Sequence, residues 1–225
     1  MNLANKDEPR RIILARHGQT EWNKAFRFQG RTNVQLTEEG KRQAHLLASR
    51  LSSWPPEVIY TSPLDRSMYT AEAIGCKFGL EPVVLPELEE INFGTWEGQS
   101  LNTLEQEHHE IFTKWRSDPF FNPPEGAEAW DVLSARLKRA LKLMLDRPEK
   151  RIIAVSHGGI MRAMYAVIMG LNPHNTWNME VSNCSMSGIE IRKGMAHLSF
   201  TNDDLHIRAG KYGEKLPVWG DIIEP

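Results

Sequence analysis

The chain has 225 residues, 40% hydrophobic and 25% charged, with a formal net charge of -2. It fits one large domain or two small ones around a sizeable core, and it has no basic surplus or aromatic-interleaved Lys/Arg cluster that would argue for nucleic acid. No apolar run approaches the roughly 18 residues of a membrane span, the stretch Met1 to Arg10 lacks a signal peptide's apolar core, and Cys76 and Cys184 are far apart, so a soluble cytoplasmic protein with two reduced thiols is expected.

Residues 1 to 10 offer little to pack and read as a loose lead-in. Ile12 to Ala15 form a short apolar run, the pattern of a strand buried on both faces. Gly18 ends it, so Arg16 and His17 stand where the strand opens into a loop. That loop, 19–35, carries Trp22, Phe26 and Phe28, which are expected to anchor it to the core. Thr37 followed by Glu38 and Glu39 is a helix start, and Ala44, Leu47, Ala48 and Leu51 mark one buried face.

Val58 to Thr61 is a second strand. Ser62-Pro63 after it reads as a cap and first helical position, opening a helix to about Phe78 with Leu64, Met68, Ala71 and Ile74 inward. Arg66 then lies in the first turn, at the positive pole, where a cation is disfavoured unless an anion sits nearby. Residues 81–85 suit a short strand and 88–98 a structured loop. A helix is expected over 101–115, an irregular excursion over 118–126, and an amphipathic helix over 130–145. A strand over Ile152 to Val155, a helix over 158–169 and late strands over 187–191 and 195–200 follow. The tail from Arg208 is punctuated by Gly and Pro. Strands alternating with helices indicate a mostly parallel central sheet covered on both faces. No linker divides the chain, so 1–225 is expected to be one domain with a cap-like insertion at about 92–129.

The stretch Arg151-Ile-Ile-Ala-Val-Ser-His-Gly-Gly159 repeats the first strand's design, with His157 standing to Val155 as His17 stands to Ala15. Packing alone does not account for two strands that each deliver a His into a Gly loop. If Arg16, Arg66, His17 and His157 converge, two guanidinium forks suit a tetrahedral oxyanion such as phosphate. A neutral imidazole against phosphorus is a competent nucleophile, and the second His adds positive charge where the transferring phosphoryl group is negative. A leaving alkoxide needs a proton from an acid of raised pKa; Glu89, Glu90 and Glu97 are candidates, and spacing does not choose among them. There is no His-Glu-x-x-His, no Asp-rich ligand cluster and no Gly-x-x-x-x-Gly-Lys loop, so neither a metal nor a nucleotide cofactor is expected.

Leu14-Ala15-Arg16-His17-Gly18-Gln19-Thr20-Glu21-Trp22-Asn23 resembles the signature of the histidine phosphatase superfamily, in its phosphoglycerate-mutase-like branch. The likeness extends through Gly30-Arg31, Leu36 to Gly40, Tyr60 to Ser67 with Thr70-Ala71-Glu72, Glu90 to Gly98, Val155 to Gly159, and Asn202-Asp203 with His206. The resemblance implies a three-layer α/β/α sandwich and a reaction without metal. By position it makes His17 the phosphorylated nucleophile, Arg16, Arg66 and His157 the phosphate pocket, and Glu90 the proton donor, with Asn23 and, more loosely, Gln29 as further substrate contacts. Family mutases carry a longer basic insertion with paired Arg between acid and second His. Here Glu90 and His157 are 67 positions apart with no Arg-Arg pair between. Pro123 to Trp130 instead resembles the Pro-Gly-Gly-Glu-Ser stretch of α-ribazole and broad-specificity phosphatases, departing from it at Glu125 and Ala129.

The expectation is therefore a metal-independent phosphomonoesterase acting on a small phosphorylated metabolite through phospho-His17. The alternatives are a bisphosphate-primed phosphoglycerate mutase and an idle phospho-ligand binder. The sequence leaves a homodimer open.

Overall fold

The computed structural model describes residues 9–208. The lead-in and tail read from the sequence lie outside the described residues, except for Pro9, Arg10 and Arg208. In chain order the elements are β1 (Arg10–Arg16), α1 (Glu21–Lys24), α2 (Glu38–Arg50), β2 (Val58–Thr61), α3 (Asp65–Phe78), β3 (Val83–Val84), α4 (Leu101–Glu107), α5 (His109–Ser117), α6 (Trp130–Leu145), β4 (Arg151–Ser156), α7 (Gly158–Met169), α8 (Pro173–Trp177), β5 (Met186–Arg192), β6 (Met195–Asp203) and α9 (Leu205–Arg208). The architecture is mixed α/β, as the alternating pattern implied.

The six strands form one sheet in the order β3-β2-β4-β1-β5-β6. The first four run parallel, and β5 and β6 are antiparallel additions. Side chains alternate between the faces with period two. Ile12, Leu14, Ile152 and Ala154 enter a core with Leu133 and Leu137 of α6 and Ile160 and Met164 of α7. Ile13, Ala15, Ile153 and Val155 enter a second core with Ala44 and Leu47 of α2 and Ala71 and Ile74 of α3. This is the three-layer sandwich.

β1 and β4 are neighbours in register, Arg16 opposite Ser156. The chain leaves β1 for α2 on one face and leaves β4 for α7 on the other. Their carboxyl ends therefore flank a crevice at a topological switch point, the preferred ligand site of such sheets.

Several local expectations are corrected. Ser62-Pro63 does not open α3; the helix begins at Asp65, with Leu64 at its cap position and no side-chain cap bond. Met68 is only half-buried. The helix expected over 101–115 breaks at His108 into α4 and α5. An unbroken helix would carry His108 onto the stripe of buried Leu104, whereas the break leaves His108 exposed and buries Phe112 and Trp115. Of the loop aromatics only Phe28 is buried; Trp22 is half-buried and Phe26 is 71% exposed at a φ of 52°. Phe28 packs edge-on against Phe93, Trp96 and Trp115, with centroids 5.1, 5.4 and 5.1 Å away. The insertion's aromatics Phe93, Trp96, Phe112, Trp115 and Phe120 thus extend the core on the α6/α7 face of the sheet, with Phe121 exposed.

Candidate active site

The end of β1 sets the nucleophile candidate. His17 is buried, its backbone N–H donates to the Ser156 carbonyl (3.0 Å), and its Nδ1 lies 2.7 Å from the Gly18 carbonyl. A carbonyl only accepts, so Nδ1 carries the proton and the Nε2 lone pair is free. A Cβ on Gly18 would lie 2.3 Å from the Gly40 carbonyl oxygen, so glycine lets this loop pack against the start of α2. Burial, with Arg66 and Arg16 adding to it, holds His17 well below the usual imidazole pKa and keeps it neutral.

His157 occupies the cap position of α7, with its ring centroid 5.1 Å from that of His17 and the planes tilted by 57°. Its Nε2 lies 2.8 Å from Ser62 Oγ, and that oxygen also accepts from the Leu64 backbone N–H (3.3 Å). When the Ser62 hydroxyl donates to Nε2, the ring proton of neutral His157 sits on Nδ1. Burial, with Arg66 and His17 adding, lowers this pKa too.

Arg66 is fully buried at the start of α3, with Nη1 donating to the Thr32 carbonyl (2.9 Å) and Nη2 to that of Gly30 (2.7 Å). Arg16 donates through Nη1 to the Val181 carbonyl (2.6 Å), and burial, Arg162 and Arg66 push its pKa down to about 10. The Nε of each Arg and Nδ1 of His157 are buried without a hydrogen-bond partner among the described residues. Three buried donors around one imidazole make a site for an anion with several acceptor oxygens.

The three candidate acids have different surroundings. Glu97 accepts from the backbone N–H groups of Arg31 (2.9 Å), Thr32 (3.1 Å) and Phe93 (3.2 Å) and from Thr32 Oγ1 (2.6 Å). It thereby ties down the loop whose carbonyls hold Arg66. Glu89 pairs with Arg31 at 3.1 Å and is partly exposed. Glu90 is buried at the start of α7, accepting from the backbone N–H groups of Ile91 (3.0 Å), Ile160 (3.2 Å) and Gly159 (3.3 Å). Burial raises its pKa against the pull of these donors and of Arg66 and Arg16. A Cβ on Gly159 would stand 2.8 Å from Glu90 Oε1, so glycine permits this seat. Arg136 of α6 holds the loop by donating to the carbonyls of Glu87 (2.8 Å) and Glu89 (2.7 Å) while pairing with Glu128.

Asn23 and Gln29 are engaged through their oxygens. Asn23 Oδ1 accepts from the Thr20 N–H and Asn183 Nδ2 (3.1 Å each), and the one Thr20 hydroxyl proton is shared between Asn23 Oδ1 (3.1 Å) and Gln29 Oε1 (2.9 Å). Each would meet a ligand with its amide N–H groups. The structure thus brings Arg16, His17, Arg66, Glu90 and His157 together, with Asn23 and Gln29 on the adjoining Thr20 network. Sequence reasoning missed Ser62, which follows β2 as His157 follows β4, and Arg162, one helical turn beyond Gly158.

Residues 12–204 match the family described as histidine phosphatase superfamily (branch 1). The chain is 34% identical to phosphoserine phosphatase 1 of Hydrogenobacter thermophilus over 184 residues, covering 81% of this chain and 87% of that protein. It is 35% identical over 184 residues to the Photorhabdus laumondii protein named "Probable phosphoglycerate mutase GpmB", covering 80% and 84%. The α-ribazole phosphatase of Shigella flexneri superposes with a TM-score of 0.77 at 29% identity, covering 86% of this chain and 96% of that one.

Proposed function

The chain belongs to branch 1 of the histidine phosphatase superfamily and is a phosphatase of that family, and from this we propose that it is a metal-independent phosphomonoesterase working through a phosphohistidine on His17. Its substrate is a small phosphorylated metabolite, and two free cysteines fit a cytoplasmic setting. We read 1–225 as one catalytic domain and 92–129 as the cap over the leaving-group side.

In this reading the phosphate sits among Arg16 Nε, Arg66 Nε and the Nδ1–H of His157. His17 Nε2 attacks phosphorus, the ester P–O bond breaks, and Glu90 gives its proton to the leaving alkoxide. Water then attacks the phosphohistidine while the Glu90 carboxylate takes its proton, releasing phosphate and restoring both groups. The fixed guanidiniums meet the negative charge of the transferring group in a site that burial keeps poor in water.

The single observation that carries the reading is the set of three partnerless buried donors around a free imidazole nitrogen. The test is phosphate release from a panel of small phosphomonoesters, with chelator present, for wild type and His17→Ala. Release that survives the chelator and vanishes in the variant supports the reading; equal release from both overturns it. The likeness to a protein named for mutase activity favours one second reading, a bisphosphate-primed phosphoglycerate mutase. Isomerised 3-phosphoglycerate without free phosphate would select it.

A further inference from the structure

The phosphate chemistry leaves a third guanidinium at the site unused. Arg162 of α7 donates through Nε to the carbonyls of Trp177 (3.1 Å) and Met179 (2.9 Å) and through Nη1 to that of Gly158 (3.3 Å). Its guanidinium carbon lies 5.3 Å from the Trp177 ring centroid, over the ring. A Cβ built on Gly158 would meet Arg162 Nη1 at 3.3 Å and Arg16 Nε at 3.5 Å. The two guanidiniums therefore flank the same point, and the Arg16 atom concerned is one of the three partnerless donors.

No carboxylate pairs with Arg162 among the described residues, and its Nη2 makes no hydrogen bond there. The contrast is Arg136, whose Nε and Nη2 are both taken by Glu128, at 2.9 and 2.5 Å. Glu90 and, less strongly, Glu180 act on Arg162 through space, and neither carboxylate is bonded to it. With Arg16 and Arg66 assigned to the phosphoryl group, the unbonded Nη2 of Arg162 is left beside it for a second anionic group. A half-buried guanidinium with no bonded carboxylate favours an anionic ligand, and its planar fork, with the carbon over an indole, suits a carboxylate.

We infer that Arg162 is a substrate-binding residue that takes a carboxylate carried on the leaving group near the ester oxygen, making phosphorylated hydroxy acids the preferred substrate class. This rests on the phosphomonoesterase reading of the same pocket. A purely structural role is the competing account, because Arg162 straps 177–179 and Val181 just beyond supplies the carbonyl to Arg16.

The experiment compares kcat/KM for 3-phosphoglycerate and for glycerol 3-phosphate, which has a hydroxymethyl group in place of the carboxylate. Wild type, Arg162→Gln and Arg162→Lys are measured, with p-nitrophenyl phosphate as a control. A charge-assisted contact predicts a wild-type preference of about 10- to 100-fold for the acid, collapsing toward parity in Arg162→Gln and partly kept in Arg162→Lys. Absence of preference in wild type, or equal loss on both esters in Arg162→Gln, overturns the inference while leaving the phosphatase reading in place. No hydrolysis of any of the three esters by wild type means that the phosphatase reading itself has failed.

Discussion

Ser62 Oγ and His157 Nε2 stand 2.8 Å apart, joining the loop after β2 to the loop after β4. Ser62 also accepts from the Leu64 N–H, and a Ser62 hydroxyl that donates to Nε2 keeps the ring proton on Nδ1, facing the proposed phosphate site. Ser62→Ala removes this director and leaves Nε2 buried without a partner. We expect kcat/KM to fall about 10-fold, the worth of one buried hydrogen bond, with phosphate affinity reduced as well. Steady-state kinetics and inorganic phosphate inhibition measure both; an unchanged inhibition constant would detach Ser62 from phosphate binding.

His17→Ala is expected to abolish turnover while leaving the fold intact, since the cores on both sheet faces are apolar and do not depend on the ring. Acid-quenched wild type incubated with labelled substrate should retain an acid-labile phosphoryl group that the variant lacks. A variant with near-normal rate would remove the covalent route from consideration.

Glu90→Gln keeps the size of the side chain and removes the proton. Esters with alkoxide leaving groups should slow by about 10²- to 10⁴-fold, and aryl phosphates, whose leaving groups need little help, far less. Equal slowing of both classes would point away from Glu90 as the acid.

Gly159→Ala places a methyl 2.8 Å from Glu90 Oε1 and 2.7 Å from Ile91 Cδ1. The acid must move, so this variant should share the leaving-group selectivity of Glu90→Gln in weaker form. Its overpacking should cost about 1–3 kcal/mol in urea unfolding. Full activity on alkyl esters would show that the seat of Glu90 is not critical.

Burial keeps both histidines below the usual pKa of about 6.5 and raises Glu90. The reaction needs His17 neutral and Glu90 protonated. The rate should therefore fall on the acid side as pH drops through the lowered His17 pKa, and on the alkaline side as pH rises through the raised Glu90 pKa. Glu90→Gln should lose the alkaline limb.

The histidines have a separate effect on stability. The unfolded chain binds protons below about pH 6.5 that the native histidines refuse, so the stability they contribute is present above that pH. It is lost as pH falls toward the lowered native values. A double His17→Gln, His157→Gln variant should lose less melting temperature over that descent, and an identical slope would sink the linkage.

Linear patterning was enough for the sheet and for most of the site. Apolar runs of four ending in His-Gly identify buried strands that deliver polar residues at their ends, whatever surrounds them, and an Arg in the first turn of α3 signals a nearby anion from helix electrostatics alone. Residue patterning left Glu89, Glu90 and Glu97 open and the resemblance alone selected Glu90; the tertiary structure adds the burial and partners that distinguish them, since four donors occupy Glu97, Glu89 pairs with Arg31, and the start of α7 receives Glu90. Ser62 read locally as a helix cap, since its partner is 95 positions away in sequence. The break at His108 and the placement of Arg162 beside Arg16 were likewise decided by packing between distant segments. Periodicity records which face of an element is apolar; it carries no record of which far-off element covers that face, and the chemistry of this pocket is set where those elements meet.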